Sequence, residues 1–262
     1  MEDEKRHMEE IAYTKELVKK VQQRLLEMAI VVRNILEAHK IPYFICAGTL
    51  LGAIRNKGFI PWDDDFDLYI FDEWYNDALR FLQEELPEDM FCECEETEPK
   101  FFHAWAHVKD CKSICHCEQF PHDSLYEHKG ISLDLYRYKA MLQREWPSFK
   151  LLEGVSYLNK RLQHGFITKE EYEFRKRSFE EQFSEREKMV ENPEELIYCS
   201  ANSKFMMRAG CILPLSHVEF EGHLFAAPNN PDEFLTKVYK DYMQLPPEDK
   251  RKPHYSQVIF LS

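Results

Sequence analysis

The most restrictive stretch of the chain is Gly48 to Asp67, GTLLGAIRNKGFIPWDDDFD, where a glycine turn, a short helical run and an acidic strand follow one another within twenty residues. Phe66, Leu68 and Ile70 alternate with Asp65, Asp67 and Tyr69, the period-two pattern of a strand with one face in an apolar core and the other turned to a cleft. Asp65 and Asp67, two apart, then project from one face. Just upstream, Tyr43-Phe44-Ile45-Cys46-Ala47 suits a buried strand, and a short helix over Leu50 to Arg55 stops near Gly58. A strand therefore hands over to a helix start at Gly48. There the glycine lets the backbone approach a phosphate, free N–H groups point at it, and Thr49 adds a hydroxyl.

The flanking patterns make the chain mixed. Leu17, Val21, Leu25, Met28, Val32 and Ile35 recur every three or four residues and predict a helix from about 11 to 39, ended by Ile41-Pro42. Asp72 can cap a helix whose apolar face is Trp74, Ala78, Leu79, Leu82 and Leu86. Strands are expected at 101–109 and 113–120, and Ile131, Leu133 and Leu135 alternate with Ser132, Asp134 and Tyr136 in another. Residues 148–190 read as a charged helical hairpin or insertion. Six prolines between Pro214 and Pro253 break the last stretch into short elements. The expectation is an α+β fold, a mixed sheet flanked by helices, in a single domain over 1–262. Its parts are an N-terminal helix at 11–40, a catalytic core at 41–147, a helical insertion at 148–190 and a C-terminal segment at 191–262.

Asp134, from its own alternating strand, supplies a third carboxylate on the cleft side. Three carboxylates in one cleft repel one another unless a cation lies between them, and hard oxygen ligands suit Mg²⁺ or Mn²⁺. Asp65, Asp67 and Asp134 are therefore the candidate metal ligands and catalytic residues; the bland alternative is a solvated acidic loop at 63–65. Arg55 and Lys109, less so Lys57, are candidates to neutralise a diphosphate. Trp62, Tyr136, Tyr239 and Tyr242 could form an aromatic face for a quaternary ammonium, although aromatics at 14% of the chain more often fill cores. His254 reads equally as a phosphate contact or a surface histidine. Cys92, Cys94, Cys111, Cys115 and Cys117, near His103, His107, His116 and His122, lack the paired C-x₂-C spacing of a strong zinc site, so buried reduced thiols are expected.

With 34 Lys and Arg against 47 Asp and Glu, a formal charge of −13 gives nucleic-acid phosphates no long-range attraction, so no nucleic-acid partner is expected. No window reaches the ~20 apolar residues of a membrane span, and the start of the sequence has no signal-peptide core, which reads as cytoplasmic.

The run from Ile41-Pro42-Tyr43-Phe44 through Gly48-Thr49-Leu50-Leu51-Gly52-Ala53-Ile54-Arg55 to Gly58-Phe59-Ile60-Pro61-Trp62-Asp63-Asp64-Asp65-Phe66-Asp67 resembles the signature of the LicD family, which includes the fukutin-type phosphoribitol transferases. Gly130-Ile131-Ser132-Leu133-Asp134-Leu135 and Tyr239-Lys240-Asp241-Tyr242-Met243-Gln244-Leu245-Pro246-Pro247 resemble its later islands, in the same order. The resemblance implies a nucleotidyltransferase-like fold and metal-dependent transfer of a phospho-alcohol, phosphocholine favoured, from a CDP-alcohol such as CDP-choline to a cell-surface glycan acceptor of teichoic acid, lipopolysaccharide or capsule type. It implies that Gly48 and Thr49 hold donor phosphates, and that Asp65, Asp67 and Asp134 ligate the metal or activate the acceptor hydroxyl. It leaves open a peripheral contact with the inner face of the membrane. Tyr136-Arg137 after Leu135, and Lys240 before Asp241, depart from the family pattern and bear on which alcohol and acceptor are used. The alternatives are a nucleotidyltransferase that leaves NMP on its acceptor, and a catalytically silent protein that binds nucleotide or glycan.

Overall fold

The computed structural model describes residues 15–261. In chain order the elements are α1 (Lys15–Ala38), β1 (Tyr43–Ile45), α2 (Ala47–Asn56), β2 (Asp67–Phe71), α3 (Asp72–Glu85), β3 (Met90–Glu93), β4 (Ala106–Asp110), β5 (Ser113–Cys117), β6 (Ser132–Leu142), α4 (Trp146–Gln163), α5 (Lys169–Lys188), β7 (Leu196–Cys199), β8 (Met207–Arg208), α6 (Ala209–Ile212), β9 (Ser216–Phe220), β10 (His223–Ala227), α7 (Pro231–Tyr239) and β11 (Tyr255–Phe260). Helix α1 buries Val21, Leu25, Met28, Val32 and Ile35, as its periodicity predicts, but at its start Val18 is buried and Leu17 only half-buried; positions 11–14 of the expected helix lie outside the described residues.

The main sheet has seven strands in the order β1-β2-β6-β4-β3, with β7 on the far half of β6 and β8 on β7. β2 and β6 run parallel and the other pairs antiparallel, so the sheet is mixed and the fold α+β. Parallel pairing of β2 with β6 needs a long crossover, and α3, β3, β4 and β5 fill it. One face carries Leu68, Ile70, Val108, Leu133 and Leu135. Arg24 of α1 reaches Asp110 at 2.8 Å, and Arg137 of β6 reaches Asp72 of α3 at 3.1 Å, which places both helices over that face. On α3 the inward residue is Tyr75 rather than the exposed Trp74, because the Tyr75 hydroxyl donates to the Leu135 carbonyl and accepts the Ala106 N–H. Asp72 begins α3 without capping it by its side chain and pairs with Arg137 instead.

The opposite face carries Asp67 and Tyr69 of β2, Asp134, Tyr136 and Tyr138 of β6, and His107 and Lys109 of β4. β4 begins at Ala106, five residues later than expected, since Phe101 and Phe102 turn into a separate aromatic cluster with Tyr126. β6 runs past Tyr136 to Leu142 because β7 pairs with its last four residues. Helices α4 and α5 form the charged hairpin, and β9–β10 and β5–β11 make two small antiparallel ribbons. Among the described residues no helix is long and apolar enough to cross a membrane.

Candidate active site

The turn from β1 into α2 and the loop from Trp62 to Phe66 meet at the start of β2. A Cβ on Gly48 would stand 2.6 Å from Asp63 Oδ2 and 3.8 Å from Asp65 Oδ1, so glycine is what lets the start of α2 lie against the acidic loop. Thr49 is 3% exposed, and its hydroxyl accepts the Asp67 backbone N–H at 2.9 Å. That bond turns the hydroxyl, expected to meet a phosphate, toward the carboxylate strand. The side chain pins α2 to the carboxylate strand and does not line the cleft.

Asp67 and Asp134 are partners in the parallel β2–β6 ladder, so their side chains rise side by side. Asp134 Oδ2 accepts two aromatic donors, Trp105 Nε1 at 3.0 Å and the Tyr136 hydroxyl at 2.9 Å, and Oδ1 stands 3.8 Å from His107 Nε2. Asp65 Oδ1 is buried without a hydrogen-bond partner. Burial, and then the neighbouring aspartates, push the Asp65 and Asp67 carboxyl groups well above the usual carboxylate range. Asp63 rises to about 6 by burial, against the pull of His254.

Asp64 is fully buried. Its Oδ1 accepts the His254 N–H at 2.7 Å and its Oδ2 the Tyr255 N–H at 3.0 Å, clamping the C-terminal strand to the acidic loop. The His254 ring is pushed up to about 9, first by its hydrogen bond to Asp64 and also by Asp65 and Asp63, so it stands protonated among the aspartates. Among the described residues, Asp63, Asp64 and His254 are the one set of potential ligands converging within 4.8 Å. The Asp64 oxygens, however, are occupied by backbone N–H groups. Asp65, with its unpaired oxygen, and Asp67 and Asp134 carry hard carboxylate oxygens of the kind a divalent cation takes, although the three do not converge within 4.8 Å as a set.

A cleft of about 1040 Å³ opens over these groups. Its walls bring together Gly48, Asp65 and Asp67 with Arg55, Trp62, Tyr136, Tyr239, Tyr242 and His254, all singled out from sequence, while Asp134 stands beside Asp67 outside the lining. Arg55 Nη1 donates to the Tyr242 carbonyl at 3.1 Å, while Nη2 is buried without a partner. The Arg251 guanidinium lies 5.4 Å from the centre of the Trp62 ring, so this aromatic face already holds a cation. Lys109 does not reach the cleft. It is 5% exposed on β4, 3.9 Å from Glu93, and belongs to a buried polar row that sequence reasoning missed, in which Glu93 Oε2 lies 2.9 Å from His107 Nδ1. The alternation of His107 and Lys109 with Val108 was the available signal. All eight thiols are free, and among the described residues no set of cysteines and histidines converges as a metal site.

The family model described as LicD/FKTN/FKRP, nucleotidyltransferase domain, matches residues 40–230. The chain belongs to the LicD family. A relative, the lipopolysaccharide cholinephosphotransferase LicD of Haemophilus influenzae, is 30% identical to this LicD-family chain over 268 residues, covering 90% of it and 98% of the relative. An uncharacterised protein of Rickettsia typhi is 32% identical over 118 residues, 40% of this chain and 36% of its own. Another, from Rickettsia prowazekii, is 46% identical over 55 residues, 21% of this chain and 19% of its own. The matched span of the LicD-family chain contains the acidic loop, β2 and β6 with all three candidate ligands; the C-terminal clamp at His254 lies beyond it.

Proposed function

We propose that the chain is a nucleotidyltransferase-like phosphotransferase that moves phosphocholine from CDP-choline to a glycan hydroxyl, with Mg²⁺ or Mn²⁺ held by Asp65, Asp67 and Asp134. The observation that carries the reading is the side-by-side placement of Asp67 and Asp134 in the β2–β6 ladder beneath a cleft lined by Trp62, Tyr239 and Tyr242. Membership of the LicD family and the similarity to a cholinephosphotransferase support a transferase.

When bound, a divalent ion supplies positive charge against the diphosphate oxygens. The remaining work falls to side chains. Arg55, whose Nη2 lacks a protein partner, donates to a donor phosphate, and the α2 start at Gly48 offers backbone N–H groups to another. The Trp62 face takes the trimethylammonium group once Arg251 moves off it. The two aromatic donors fix Asp134 through Oδ2, leaving Oδ1 as its donor to a divalent ion, and the attacking hydroxyl gives up its proton to solvent. The new bond joins the glycan oxygen to the choline-bearing phosphorus, and the bond to CMP breaks with its electron pair leaving on CMP.

Mass analysis of the modified acceptor tests this reading. A gain of phosphocholine with release of CMP is expected. A gain of a nucleoside monophosphate overturns it in favour of nucleotidyl transfer.

A further inference from the structure

Just past the end of β3 the chain turns at Cys94, and hydrogen-bond donors close on its sulfur. Gln83 Nε2 of α3 donates to Sγ at 3.4 Å, the Thr97 hydroxyl lies 3.7 Å away, and the Glu96 and Thr97 backbone N–H groups reach the same atom. Successive N–H groups around one atom make an anion-binding concavity, so this sulfur is solvated as a thiolate rather than as a thiol. Cys92 lies two residues back on the same side of the strand, and its thiol hydrogen-bonds to Cys94. We propose that Cys94 is a hydroperoxide-reactive thiol and that Cys92 closes its oxidised form as a disulfide. The inference is independent of the transfer reading.

The other thiols make the contrast. Burial pushes Cys46, Cys111, Cys115, Cys117, Cys199 and Cys211 upward. Cys94 goes down, to about 6, first through the Cys92 thiol and, against its own burial, through the Glu96 and Thr97 donors. It therefore stands ionised at neutral pH although it is only 4% exposed.

A cavity of about 380 Å³, opening where β4 begins, has Cys94 in its wall and gives a small oxidant its way in. The cations there are paired, Arg137 and Lys139 with Asp72 and Lys160 with Glu95, and Glu96 and Glu153 add negative charge. An anionic oxidant is repelled, whereas a neutral hydroperoxide is not. The thiolate attacks the terminal peroxide oxygen and the O–O bond breaks. The departing hydroxide or alkoxide keeps the electron pair and takes a proton from water, and the sulfur, oxidised by two electrons, is left as a sulfenic acid. The Cys92 sulfur then attacks it, the S–S bond forms and water leaves.

Cys92 and Cys94 fall on one tryptic peptide, Phe81 to Lys100, that holds no third cysteine, so mass reads the reaction directly. The reduced full chain is treated at neutral pH with equimolar hydrogen peroxide, its remaining thiols are blocked, and the digest is weighed over time. The peptide is expected to lose two hydrogens about tenfold faster than the more exposed Cys111 is oxidised. Met90, on the same peptide, gains oxygen when it reacts and is told apart by that. Cys92→Ser is expected to leave Cys94 as a sulfenic acid that dimedone captures. Oxidation of Cys111 or Cys117 ahead of Cys94 overturns the reactive thiol. A sulfenic acid that persists at Cys94 in the wild type, without loss of the two hydrogens, overturns the pair.

Discussion

Asp64 and His254, 190 residues apart in sequence, are joined by a 2.7 Å bond from the His254 backbone N–H to a carboxylate with no exposed surface. With the Tyr255 N–H at 3.0 Å on the other oxygen, this bond closes the edge of the cleft. Removing the carboxylate leaves two part-buried amides without acceptors. Asp64→Ala is therefore expected to cost about 1–3 kcal/mol in urea unfolding, and to speed hydrogen exchange at amides 254 and 255 ahead of the rest of β11. Unchanged protection at those amides would contradict the clamp.

Thr49 makes a parallel case inside the fold. Thr49→Val keeps the shape and deletes the acceptor of the Asp67 N–H, so a loss of about 1–3 kcal/mol is expected. Thr49→Ser should recover most of it. Because the hydroxyl does not line the cleft, the KM for CDP-choline should stay near wild type in Thr49→Ser. A large KM rise there would restore a phosphate-binding role.

At Gly48 the expected loss is of function. An alanine Cβ falls 2.6 Å from Asp63 Oδ2, so Asp63 has to move, and with it the loop that presents Asp65. Gly48→Ala should lower metal-dependent turnover about 10–100-fold, with little change in Tm. Turnover and Tm measured on the same preparation separate this from unfolding.

The buried Glu93–His107 pair gives the fold a pH signature. Burial raises the Glu93 carboxyl from 4.5 to about 7, opposed by Lys109. An acid raised on folding contributes stability that is full below its unfolded value and is lost as pH rises, here between about 4.5 and 7. Burial holds His107 neutral, down at about 3, and this works in the opposite sense, since the unfolded imidazole takes a proton below 6.5. Comparison with Glu93→Gln isolates the first effect. The variant's stability relative to wild type should improve as pH goes from 5 to 8, and a gap that stays constant would refute the protonated Glu93.

Local patterning made the carboxylate strand, the Asp134 strand and α1 legible in the sequence, because each buries one face and period alone reveals it. Trp62, Tyr136 and Tyr242 could be named from sequence, but their convergence on one cleft depends on α7 and the segment after it folding back over α2. Three features stayed hidden for one physical reason, which is that their partners are distant in the chain. Asp64 looked like a solvated loop charge until β11 was placed on it. Lys109 looked like a phosphate ligand until β3 brought Glu93 beneath it. Trp105 carried no pattern at all until β4 paired with β6.

The central claim is that Asp65, Asp67 and Asp134 hold a divalent ion for transfer from a CDP-alcohol. Its most direct test is CMP release from CDP-choline, with acceptor present, as Mn²⁺ is titrated into metal-stripped wild type, Asp65→Asn and Asp67→Asn. The account predicts turnover that rises with Mn²⁺ in the wild type, is abolished by EDTA, and falls at least a thousandfold in either variant, on the order of 4 kcal/mol of lost transition-state stabilisation. Metal-independent CMP release, or full turnover in Asp67→Asn, would contradict it.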